Sequence, residues 1–196
     1  MKDNARPAEW DASRPWREAD RVKATPNTCF SGVNCVEQLM GSGVDLVILA
    51  APPRFRPAHF ETAVRAGKHV FLERPVAVDV AGVRSVFVHS DLARQKGLGV
   101  VAGTQRRHDF AYREMMSRIR DGAIGEILGM EVHQPDPILD TGEDPFDILC
   151  DPGTRLRQWF LWSSLGGGAV VREHVPSLDL LNWAMGAPPW RWPPSA

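Results

Sequence analysis

Cysteine is scarce in this chain: Cys29, Cys35 and Cys150 are its only three, an odd number without a CxxC pair. That argues against a disulfide framework and against a zinc or redox dithiol site, and it favours reduced structural thiols in a reducing compartment. Neither sign of charge dominates, since 23 Lys and Arg stand against 24 Asp and Glu for a formal net charge of -1. No electrostatic pull toward nucleic acid or an anionic membrane follows, and a small molecule is the expected ligand. Long apolar runs are missing too, none approaching the ~20 residues that a membrane helix needs. Residues Met1 to Asp20 are polar and lack a basic-then-apolar leader pattern. The expectation is a soluble, unexported, cytoplasmic protein.

What is present centres on Val44 to Ala50, an almost continuously apolar run that stops at Pro52-Pro53. It reads as a parallel strand covered by helices on both faces, ended by residues that cannot continue a ladder. A helix from Pro57 to Ala66, closed by Gly67, leads to a second strand, His69 to Leu72, which delivers Glu73-Arg74-Pro75 to the same carboxyl edge. Asp79 is placed to cap a long helix to about Lys96, with Val83, Val86, Phe87 and Leu92 on its inner face and Gly97 as terminator. A third strand, Leu98 to Ala102, follows. Strand and helix alternating in this way predict a parallel sheet, whose ligands bind at the carboxyl ends of the strands.

The flanking segments read less regularly. Residues 1 to 19 are broken by Pro7 and Pro15, Arg21 to Phe30 accommodates a short strand, and Asn34 to Met40 a short helix. After Gln105-Arg106-Arg107-His108, a helix from about Asp109 to Arg120 should turn Met115, Met116 and Ile119 inward. Ile127 to Gln134 is expected to be a strand of a second sheet, Pro135 to Asp151 a loop, and Ala169 to Met185 a helix preceded by a Gly166 to Gly168 turn. Trp159 and Trp162 suit packing better than sugar stacking, and His69, His89, His108 and His133 share no metal spacing. No metal site is expected.

Glu73-Arg74-Pro75, Gly103 to Arg107, Asp121 to Gly125 and Gly166 to Trp183 together resemble, in order and spacing, the glucose-fructose oxidoreductase and inositol dehydrogenase family, Gfo/Idh/MocA. The resemblance runs from about Asp20 to Pro189. It implies an N-terminal Rossmann domain, a C-terminal α/β domain with an open sheet, and hydride transfer between NAD or NADP and a sugar or polyol carbon. By it, Ala51, Pro52, Pro53 and His59 line the cofactor cleft, Glu73 sits near the nicotinamide ribose, and Gln105 and Arg106 belong to the cofactor side.

Several departures from that pattern carry chemistry. Nothing before Val44 supplies a strand, a glycine-rich phosphate turn and a helix, and Gly97-Leu-Gly99 lies in a strand segment where it cannot form that turn. A Rossmann-like sheet that is only partial is therefore expected, in a chain truncated at both ends. The family's lysine is Arg74, whose guanidinium donates hydrogen bonds but hardly exchanges a proton. An acidic residue, a histidine and an aspartate that share one helix face in the family read here as Arg172, Pro176 and Asp179. Only Asp179 remains, and His174, the substitute base, points roughly 200° away from the replaced position unless a kink at Pro176 re-aims it.

The fold expectation is α/β: an irregular segment over 1–19, a partial NAD(P)-binding domain over 20–122, and the start of a second α/β or α+β domain over 123–196. Two functional readings follow. One is an oxidoreductase with Arg74, His174 and Asp179 at its catalytic centre. The other is a non-catalytic remnant or interaction subunit that keeps the scaffold. Exposed sheet edges predict self-association in either case.

Overall fold

The computed structural model describes residues 24–133 and 151–186. The expected irregular segment over 1–19, nearly all of the loop over 135–151, the tail from Pro188 and Cys150 lie outside the described residues.

After a short helix α1 (Cys35–Met40), strands β1 (Leu46–Leu49), β2 (His69–Leu72) and β3 (Val100–Ala102) form a three-stranded parallel sheet in the order β1-β2-β3. Leu46 pairs with His69 and Val70 with Val100, so all three carboxyl ends leave the sheet on one edge. The crossovers are α2 (Arg56–Arg65) and α3 (Val80–Gln95), and the Asp79 carboxylate caps α3 by accepting from the Gly82 amide at 2.7 Å. Val47, Leu49, Val70 and Leu72 point down onto Phe60, Ala63 and Val64 of α2 and Ala93 of α3. Phe60 is fully buried, and truncating such a side chain removes about 3–5 kcal/mol.

Among the described residues the double-sided cover expected for β1 is not found. Successive strand residues face opposite sides, and α2 and α3 pack on each other against one side. Leu46 and Ile48 on the other side are 56% and 65% exposed. Phe87 and Val83 are likewise outside, because the buried stripe of α3 runs through Val86, His89 and Ala93. His89 takes a core position by donating from Nδ1 to the Ser85 carbonyl at 2.8 Å.

The strand expected within 21–30 gives way, in its described part, to a 3₁₀ turn, Pro26–Thr28, where the proline has no amide for a ladder. Gly97 ends α3 in the left-handed region, φ +68°, and Gly99 stands just before β3. A short helix α4 (Gln105–His108) precedes α5 (Phe110–Arg120), which buries Met116 but leaves Met115 exposed. Among the described residues after it, 127–133 form no strand. They find no partner strand there, and Leu128 is exposed.

Two further helices, α6 (Pro152–Arg157) and α7 (Ser163–Gly166), flank a 3₁₀ turn at Trp159–Leu161. Gly167 then reverses the chain with φ +85°, so close to Val171 that a Cβ would stand 2.8 Å from its Cγ1. The expected helix over 169–185 is present in two pieces, a π-helical turn at Val170–His174 and α8 (Val175–Met185). Pro176 explains the join: it has no N–H to give the Arg172 carbonyl and would clash with it in α geometry, a clash that a wider turn relieves. No helix among the described residues is long and apolar enough to cross a membrane.

Candidate functional site

The carboxyl edge is organised by a residue whose role the sequence does not reveal. Arg56, in the first turn of α2, is only 3% exposed. Its Nε donates to the Ala51 carbonyl at 2.8 Å, and its Nη1 to the carbonyls of Glu73 at 3.1 Å and Pro75 at 2.6 Å. The Ala51 to Pro53 lip after β1 is thereby fastened to the segment after β2, whose Arg74-Pro75 peptide is cis. Burial pulls the Arg56 pKa down, the Glu73 carboxylate opposes that, and Arg74 adds to it. An arginine in a Pro-Arg-Phe-Arg-Pro string reads as a surface residue, so nothing in the sequence marks it for burial.

Glu73 turns its carboxylate toward the edge, accepting from the Arg74 amide at 3.0 Å. It rests on Gly103, where a Cβ would come within 2.9 Å of Oε2. His59 stacks on Phe55 with centroids 6.1 Å apart, and burial lowers its pKa against the opposing pull of Glu37.

Beside this edge, a pocket of about 120 Å³ opens between the β3 end and the start of α8. Arg74, Gln105, Arg106, Glu173, Pro176 and Asp179 line it, with Thr104 and Val175. Three arginines tie the two sides. Arg74 Nη1 donates to the Arg172 carbonyl at 2.6 Å, Arg106 Nη1 to Ser177 Oγ at 3.4 Å, and Arg107 grips both oxygens of Asp179 at 2.8 to 3.0 Å. Arg107 also lies over the Trp183 ring at 5.3 Å, and its bonds to Asp179 raise its pKa despite burial. Arg172 in turn donates from Nε to Glu173 Oε1 at 2.5 Å and from Nη1 to the Phe160 carbonyl. A wider groove of about 590 Å³ runs along Phe110, Met115, Ile119 and Ile124, but few polar groups converge on it.

The pocket thus gathers Arg74, Gln105, Arg106 and Asp179 from the residues expected at the site. Ala51, Pro52, Pro53, His59 and Glu73 lie outside its lining, as does His174. Glu173 is an addition that sequence reasoning missed, because in an unbroken α-helix a residue six positions before Asp179 falls on another face. Trp162 lies under Arg155 at 4.4 Å and Trp159 packs edge-on to Phe160 and against Gly166. No group of three or more metal-ligating side chains occurs among the described residues.

Chemically, the pocket offers guanidinium donors from Arg74 and Arg106, an Asp179 carboxylate whose two oxygens are both engaged, and a Glu173 carboxylate. For a dinucleotide, the edge at Glu73 and Gly103 provides a carboxylate acceptor beside a residue without a side chain, which suits a ribose hydroxyl. The strand-to-helix turns are Ala51-Pro52-Pro53, Glu73-Arg74-Pro75 and Gly103-Thr104, and among the described residues none is the glycine-rich turn that holds a pyrophosphate.

Comparison with known proteins agrees with this architecture. Residues 9–104 match the model of the GFO_IDH_MocA oxidoreductase family, described as an NAD-binding Rossmann fold. The 1,5-anhydro-D-fructose reductase of Ensifer adhaerens is 35% identical over 176 residues, covering 88% of this chain and 47% of the reductase. Inositol 2-dehydrogenase 1 of Saccharopolyspora erythraea is 32% identical over 145 residues, covering 72% of this chain and 42% of that protein. The chain spans less than half the length of these curated relatives. Among solved structures, scyllo-inositol dehydrogenase from Lactobacillus casei, with bound NAD(H) and scyllo-inositol, superposes with a TM-score of 0.58 at 22% identity, over 77% of this chain and 40% of that one. With its parallel sheet, its carboxyl-edge residues and these relatives, the chain belongs to the Gfo/Idh/MocA family of oxidoreductases.

Proposed function

We propose that this chain forms the nicotinamide-side edge and substrate pocket of an oxidoreductase that moves a hydride between NAD(P) and a sugar or polyol carbon. The observation that carries it is the pocket where Arg74, Gln105 and Arg106 from the sheet edge meet Glu173 and Asp179 from the π turn and α8. The cofactor supplies the hydride acceptor or donor. Arg74 binds and orients a substrate oxygen without exchanging its proton. Asp179 holds α8 to the edge through Arg107, Glu173 is the carboxylate placed to take a proton, and His174 stands one residue beyond it. Ala51 to Pro53, His59, Glu73, Gln105 and Arg106 form the cofactor side, in a partial Rossmann domain over 20–122 that is followed by the start of a substrate domain over 123–196. Among the described residues β1 is an edge strand, and its unpaired backbone supports self-association, which light scattering reads directly.

Titration of the purified chain with NADH and NADPH tests the proposal. Saturable heat or fluorescence change is expected, and its absence at millimolar ligand removes cofactor binding by this chain. A second reading, a scaffold without catalysis, is favoured by Arg74 in the lysine position and by an Asp179 already bound at both oxygens. Hydride transfer to any polyol by the chain alone, abolished by Glu173→Gln, would contradict that second reading.

A further inference from the structure

We infer that the pocket selects a sugar or polyol carrying an anionic oxygen group, a carboxylate or a phosphate, over a neutral polyol; the inference rests on the pocket being the substrate site. Two guanidiniums, Arg74 and Arg106, and two carboxylates, Glu173 and Asp179, line it. Both carboxylates are met by guanidiniums that stand behind the lining: Arg107 takes both oxygens of Asp179, and Arg172 takes Oε1 of Glu173. Among the described residues, the immediate neighbourhood therefore holds the four guanidiniums of Arg74, Arg106, Arg107 and Arg172 against the two carboxylates of Glu173 and Asp179. At the adjoining edge, Glu73 and Arg56 offset one another.

Arg74 is also turned for the task. Its Nη1 donates to the Arg172 carbonyl, which anchors the planar group, and its Nε and Nη2 have no partner among the described residues. A guanidinium so fixed presents two donors side by side, the pattern that fits a carboxylate or phosphate with two oxygens and that a lysine ammonium cannot reproduce. A neutral polyol gains nothing from the excess positive charge. Its hydroxyls would leave the fork half used.

Calorimetry on the full chain with gluconate, glucose 6-phosphate, glucose and sorbitol distinguishes the cases. Gluconate or glucose 6-phosphate should bind at least about tenfold tighter than glucose, the order of a charge-assisted bond. Whichever of the two leads identifies carboxylate or phosphate as the group recognised. That preference should weaken as KCl is raised and vanish in Arg74→Gln, with Arg74→Lys recovering only part of it and all three proteins melting alike. If either variant melts early, the salt dependence of the unsubstituted chain decides alone: an affinity ratio indifferent to KCl overturns the inference.

Glucose and sorbitol binding as tightly as gluconate would overturn the selectivity while leaving the polyol site standing. Binding of no sugar at all would overturn both this inference and the reading of the pocket as a substrate site. Displacement of gluconate by NADH would assign the arginines to the cofactor and overturn the inference as well.

Discussion

The Arg172 carbonyl, which Pro176 cannot serve from within the helix, accepts instead from Arg74 Nη1 at 2.6 Å. A helix defect in one part of the chain is thus satisfied by the edge of the sheet in another. The two residues should be thermodynamically coupled. Arg74→Ala takes this donor from the carbonyl and is expected to lower stability by about 1 kcal/mol, while the same change in a Pro176→Ala background, where an amide is available, should cost clearly less. Urea melts of the four proteins in this cycle give the coupling, and additive costs would refute it.

Arg56 is the buried fastener between the β1 lip and the segment after β2. Replacing it with methionine keeps much of its volume and strands three carbonyls, those of Ala51, Glu73 and Pro75. The expected loss is about 3 kcal/mol, seen as a lower denaturation midpoint at an unchanged slope. A loss comparable to that of an exposed arginine would contradict the burial.

Two glycines should separate a soft clash from a hard one. In Gly103→Ala the new methyl meets the Glu73 carboxylate, the end of a side chain that can swing away, so stability should change by less than about 1 kcal/mol while NADH affinity falls. In Gly82→Ala it meets Ala77 Cβ at 2.9 Å and Pro57 Cγ at 3.0 Å, neither of which can rotate aside. There a cost of about 1–3 kcal/mol is expected, read from the same melts.

Acid should weaken the fold through His59. Burial lowers its folded pKa below the 6.5 of an ordinary imidazole, so the unfolded chain takes up the proton first. The stability tied to the neutral ring is complete above pH 6.5 and is lost as the pH falls through the folded value. Between about pH 7.5 and about pH 5.5 the urea midpoint should drop more in the natural chain than in His59→Gln. Parallel curves would show that the ring is not protected.

The scaffold was legible where local signals agreed with long-range packing. His69 to Leu72 is a strand with the anticipated bounds, Asp79 caps α3, and Gly186 closes the last helix, because apolar period, cap and terminator coincide at each. The lining of the candidate pocket was legible only in part. That Arg74, Gln105, Arg106 and Asp179 come together follows from strand ends and a known motif order. Glu173 and Arg56 could not: one depends on a π turn that shifts the helix register, the other on a burial decided by three backbone carbonyls remote in sequence. The strand expected over Ile127 to Gln134 does not form in its described part, 127–133, for a related reason, since an apolar run becomes a strand only beside a partner.

Leu46, Ile48 and Val101 spread an oily surface across the side of the sheet that no described helix covers. Dyes that brighten in apolar surroundings should therefore light up on the intact molecule in plain buffer. Denaturant, by pulling the strands apart, should dim them, so that such a dye registers order here where in most globular proteins it registers its loss.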